Sequence, residues 1–119
     1  MRFLTGAPEL LTPNPKASLK MLARRRAAAI AAAKRAVCEL EKKAVKALVT
    51  GSLADDTFDL HSDIDFLVVE YPREMKYALE GIVEDALGDI PFDVIYLDEV
   101  APRKLRSFTE KARRVEELG

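Results

Sequence analysis

Apolar positions along the chain follow two rhythms, and their order predicts most of the fold. From about Lys16 to Lys46, the residues Leu19, Leu22, Ile30, Ala33, Val37, Leu40, Ala44 and Ala47 recur at spacings of three, four, seven and eight. That rhythm marks one stripe of a long N-terminal helix, in a segment rich in Ala, Lys, Arg, Glu and Leu. Arg24-Arg25-Arg26 and Lys34-Arg35 lie largely off the stripe; Cys38 lies on or near it and reads as core packing. Asn14-Pro15 supplies the helix start, with Pro15 near the first helical position. Ahead of it, Pro8, Pro13 and Gly6 make residues 1–15 an irregular arm, so the single domain spans 16–119.

The second rhythm is that of short buried strands. Ala47-Leu48-Val49-Thr50 is stopped by Gly51, and Ile64-Asp65-Phe66-Leu67-Val68-Val69 is ended by Tyr71-Pro72. Phe92-Asp93-Val94-Ile95-Tyr96-Leu97 is a third. Between the last two, Glu74 to Leu87 reads as a helix with Met75, Leu79, Ile82, Val83 and Leu87 on one side and Gly88 as its stop. Pro102 opens a last helix whose stripe is Leu105, Phe108, Ala112, Val115 and Leu118. If Gly51-Ser52 at the end of the first strand is to meet Asp63 at the start of the second, those strands run antiparallel. Asp63 and Asp93 both stand at strand starts with a helix between them, the layout of a parallel pair joined by a crossover. The predicted fold is therefore α/β, a small mixed β-sheet flanked by helices.

Composition narrows the function classes. A chain of 119 residues with 49% hydrophobic and 33% charged residues has room for one modest core. No run of about 18 apolar residues predicts a membrane span. Met1-Arg2-Phe3-Leu4-Thr5 leads into prolines, so no secretory leader is expected, and a lone cysteine fits a reducing cytoplasm. The net charge of −1 hides a split: residues 1–50 carry 11 Lys/Arg against 3 Asp/Glu, and residues 51–119 carry 8 against 17. A basic first half can meet an acidic partner or a nucleic acid, or simply form a solvated helix face.

Cys38 and His61 are the only two residues of their kinds, so a metal would have to be held mainly by carboxylates. Asp63 and Asp65, two apart at a strand start, leave the backbone on the same face, and Asp93 is a third acid at the start of a strand. Paired carboxylates repel unless a cation sits between them, and all-oxygen ligands suit Mg²⁺ or Mn²⁺. Gly51 lets the backbone turn tightly and approach a ligand. Ser52 opens a short helix whose free N–H groups and hydroxyl can hold phosphate oxygens. Ser52-Leu53-Ala54-Asp55 reads equally as a capping-box variant; an Asp55 bonded to the Ser52 N–H would take that donor from a phosphate.

Gly51-Ser52, ten residues, then Asp63-Ile64-Asp65 in a strand resembles the minimal nucleotidyltransferases of the DNA polymerase β superfamily, with Asp93 where that family places its third carboxylate. The resemblance implies a polymerase β-like nucleotidyltransferase core and transfer of a nucleoside monophosphate, most often AMP from ATP, to a hydroxyl. It implies Asp63, Asp65 and Asp93 as metal-binding and catalytic residues, Gly51 and Ser52 as nucleotide-binding residues, and Mg²⁺ or Mn²⁺ as cofactor. Small members of that family are often antitoxins that adenylate a tyrosine of a HEPN-type ribonuclease toxin, which implies a protein partner. The family usually follows Gly-Ser-x-Ala with Arg-Gly, whereas this chain has Asp55-Asp56. A carboxylate about 8 Å from one phosphate charge costs roughly 2 kcal/mol at an effective dielectric near 20, unless something offsets it. The alternative reading is accordingly a catalytically weak module of the same fold that acts by binding a protein partner.

Overall fold

The computed structural model describes residues 15–119. The arm expected over residues 1–15 lies outside them, except for Pro15, which opens the first helix. The elements follow the predicted order: α1 (Pro15–Glu41), β1 (Lys46–Thr50), β2 (Ile64–Glu70), α2 (Lys76–Leu87), β3 (Phe92–Tyr96) and α3 (Pro102–Lys111). Short helical turns at Arg73–Met75, Leu97–Glu99 and Val115–Glu117 complete the order.

The sheet has the order β1-β2-β3, with β1 antiparallel and β2 parallel to their next neighbours. This is the mixed topology that the placement of Gly51, Asp63 and Asp93 requires. In β2 both faces are covered, Leu67 being fully buried on the face that carries Asp65. Ile64, Phe66 and Val68 are fully buried among α1, α2 and β1, while Asp65 on the other face is half-buried. On α1 the inner positions Ala29, Ala32, Ala33 and Ala36 are all completely buried. Small side chains there bring the helix close, and Ile30, Val37 and Leu40 fill the space beside them. Leu79, Val83 and Leu87 are the buried stripe of α2.

Three expectations are corrected. The α1 stripe does not continue to Lys46: the helix ends at Glu41, Ala44 is exposed in the turn and Ala47 belongs to β1. The chain is turned by a Schellman-type closure, in which the Val45 N–H donates to the Leu40 carbonyl at 3.0 Å and the Ala44 N–H to the Glu41 carbonyl at 3.0 Å. Val45 and Leu40 are both buried, the apolar contact that fixes this closure. Ala44 pays with a left-handed φ of 62°. An Ala44→Gly variant is expected to gain about 1 kcal/mol, because only glycine takes that conformation freely and no packed side chain is lost. A rise in urea midpoint at unchanged slope is the result to look for.

The last helix also stops early, at Lys111. Ala112 turns extended, and Arg113 pairs with the free edge of β1, its N–H donating to the Val49 carbonyl at 2.7 Å and its carbonyl accepting the Val49 N–H at 2.8 Å. Val115 and Leu118, read as the end of a helical stripe, are buried from the turn that follows. Cys38, read as core packing, is exposed. Its neighbour Val37 takes the inward position.

Candidate functional site

Strand register brings the acids together. Asp65 is the ladder partner of Asp93 on one side and of Thr50 on the other, so the end of β1 and the starts of β2 and β3 meet along one line. Asp63 stands two residues before Asp65, at the mouth of the same strand. Partners in a parallel ladder project to the same face, which puts the Asp65 and Asp93 carboxylates side by side.

Gly51 follows Thr50 with φ +73°. A Cβ built on it would collide with the Asp65 carboxylate oxygen and lie 3.2 Å from its Cγ. The close approach that glycine permits here is therefore to a carboxylate of the site itself. Packed against this backbone, Asp65 is pushed up to about 6, mainly by burial, with the charges of Asp93 and Asp63 adding to it. Asp63 and Asp93 are exposed. Asp93 turns one oxygen to the backbone N–H of Val94, at 3.0 Å. Among the described residues no three such groups are closed on one point at metal-ligand spacing. An all-oxygen set in which two acids are ladder partners and one is destabilised as an anion fits a hard divalent ion.

After Gly51 the chain makes turns rather than the short helix expected at Ser52. The Gly51 carbonyl accepts the Ala54 and Asp55 N–H groups, each at 3.1 Å, and the Ser52 carbonyl accepts the Thr57 N–H at 2.9 Å. The capping-box reading fails. One Asp55 oxygen takes the Thr57 hydroxyl and the Thr57 N–H instead, the latter at 3.1 Å. Among the described residues, the Ser52 and Leu53 N–H groups have no acceptor. The Ser52 N–H and the half-buried Ser52 hydroxyl are thus left without a protein acceptor in the turn that follows Gly51.

The acids Asp55 and Asp56 are each offset. Asp56 pairs with Arg26 of α1 and has a left-handed φ of 64°, a conformation that Asp tolerates better than most residues. Asp55 lies 3.8 Å from the Lys111 ammonium at the end of α3. The hydroxyl of Thr57, ahead of Lys111, holds the Asp55 carboxyl below its usual range. Arg25 donates to the carbonyls of Asp59 and Ser62, both at 3.4 Å, and lies over the Phe58 ring. Asp59 closes the loop locally, accepting the His61 N–H at 2.8 Å and the Ser62 hydroxyl at 3.1 Å.

Sequence reasoning missed this service of the basic helix to the site: Arg25 and Arg26 hold the loop that joins Gly51-Ser52 to Asp63. The signal was present in the opposite charges of the two halves, which meet within one chain. Thr50 was missed as well; fully buried, its hydroxyl donates to the Phe108 carbonyl at 3.2 Å and pins α3 beside the site.

Comparison with known proteins adds one positive finding. The sequence model described as a nucleotidyltransferase domain matches residues 30–115, which contain Gly51, Ser52 and the three aspartates but not Arg25 or Arg26. No curated protein matches the chain. Among the described residues no helix is long and apolar enough to cross a membrane.

Proposed function

The chain belongs to the nucleotidyltransferase domain family, and from that premise we propose that it transfers AMP from ATP to a hydroxyl group. Gly51 and Ser52 would hold the β- and γ-phosphates, through the Ser52 hydroxyl and the open backbone N–H groups after Gly51. Asp63, Asp65 and Asp93 would bind Mg²⁺ or Mn²⁺, which when bound would neutralise triphosphate charge. Asp93, exposed at the mouth of the site, would favour loss of the acceptor's proton. Following the resemblance to the minimal nucleotidyltransferases, the acceptor is a tyrosine of a HEPN-type toxin and this chain is its antitoxin.

The observation that carries the proposal is the ladder pairing of Asp65 with Asp93, with the Gly51 backbone packed on the Asp65 carboxylate. The test is label transfer from radiolabelled ATP with Mg²⁺ to a candidate partner protein. Asp63→Ala combined with Asp65→Ala is expected to abolish it; equal labelling by that double variant would refute the assignment.

A second reading, neutralisation of a partner by contact alone, is favoured by the two acids Asp55 and Asp56 beside the phosphate cradle. No calorimetric heat with ATP and Mg²⁺, together with tight binding to the product of a neighbouring gene, would select it.

A further inference from the structure

The residue that compensates the acidic cradle is also placed to take a phosphate. Two tethers bracket Gly51-Ser52. On one side the Thr50 hydroxyl donates to the Phe108 carbonyl; on the other Asp55 faces Lys111, one turn further along α3. The Asp55 N–H bonds the Gly51 carbonyl, so the Lys111 ammonium meets the first turn of the chain after the cradle.

Among the described residues, the other cations on the Asp55-Asp56 side of this loop are committed. Arg26 is held by Asp56 and only a quarter exposed. Arg25 is spent on the carbonyls of Asp59 and Ser62. Arg113 donates to the carbonyls of Glu110 and Ala112, and Arg106 pairs with Glu110 at 2.6 Å. Lys111 differs. Its side chain is 55% exposed, its contact with Asp55 is a loose 3.8 Å, and Asp55 is already satisfied by Thr57. A flexible ammonium with three donors and one loose partner can turn to a phosphate without leaving a buried charge unpaired.

Resting on the reading above, we propose that Lys111 is the side chain that binds the polyphosphate tail of the nucleotide, a cation delivered from α3 to a cradle that carries Asp55 where an arginine is usual.

Calorimetric titration with ATP and with inorganic tripolyphosphate, both in Mg²⁺, tests this without knowledge of the preferred base. Lys111→Ala is expected to weaken both ligands about tenfold, and Lys111→Arg to restore most of the loss. Asp55→Ala is expected to tighten binding, and Asp55→Ala with Lys111→Ala to fall about tenfold below Asp55→Ala alone. If that double variant binds as well as Asp55→Ala, Lys111 acts only by neutralising Asp55 and the proposal is overturned. Equal binding by wild type and Lys111→Ala overturns it too, leaving the proposed function standing. A wild type that binds neither ligand overturns both. Lys111 is exposed, so unchanged melting of each variant separates these outcomes from misfolding.

Discussion

Replacing Asp65 with Asn is expected to give a protein that melts higher than its parent at pH 8 and no longer transfers a nucleotide. The carboxyl titrates at about 6 in the fold, above the roughly 3.9 of an unfolded aspartate. Below the lower value both states are protonated and the group contributes nothing. As pH rises from there through about 6, the unfolded chain ionises freely while the folded one resists, so native stability is lost; above 6 the penalty is complete. Asn carries no such penalty. In EDTA the melting difference between variant and parent should be near zero at pH 3 and reach its plateau above pH 7. Discounted for a half-exposed site, the plateau is about 1–2 kcal/mol, or roughly 4–8 °C in a domain of this size. Millimolar Mg²⁺ should raise the parent's melting temperature and leave the variant's unchanged, since a ligand that binds only the native state stabilises it. Transfer of label is expected to fall by at least about 10²-fold, the usual loss when one charge-stabilising group is removed. A melting difference that is flat with pH would show that Asp65 is not held as an unfavourable anion.

Gly51→Ala tests the same contact from the opposite wall. The substitution suffers twice: alanine disfavours the left-handed φ by about 1–2 kcal/mol, and its methyl group would occupy the place of the Asp65 carboxylate. Something must move, and the Asp65 side chain is softer than the backbone of the turn. The expected protein is folded, melts several degrees lower, and binds ATP with Mg²⁺ at least about tenfold more weakly. Combining it with Asp65→Asn should recover little, because the amide is as large as the carboxylate. Combining it with Asp65→Ala should recover much of the stability and none of the activity. A Gly51→Ala protein of unchanged stability would mean that the loop relaxes freely and that the contact does not organise the site.

The fold was legible where local chemistry and topology agreed. Gly51 and the acids at the starts of β2 and β3 demanded one antiparallel and one parallel pairing, and the ladder has them. Strand residues such as Ile64 and Phe66, buried on one face with Asp65 on the other, left little freedom in register. Element ends were less legible because tertiary pairing decides them. Nothing local in Ala112-Arg113 announces that the edge of β1 will capture Arg113, and nothing in Ala44 announces a left-handed residue where glycine is usual. The site divides along the same line. Gly51, Ser52 and the three aspartates were visible as a spaced motif. Arg25, Arg26 and Lys111 were not, since each reaches the site from an element remote in sequence and carries no spacing signal of its own; Thr50 sits beside Gly51, but its partner, the Phe108 carbonyl, is the remote one.

Because Asp65 and Asp93 are ladder neighbours, their separation is a lattice constant of the sheet, shielded from whatever happens in connecting segments. The stretch from Ser52 to Ser62 is held differently: Leu53 and Phe58 anchor it in the core, while exposed positions such as Leu60 and His61 can be recharged to suit a new partner with the carboxylate spacing unchanged. A single-residue slip in the crossover between β2 and β3 is the opposite case: it would send Asp93 to the far surface and dismantle the pair at a stroke.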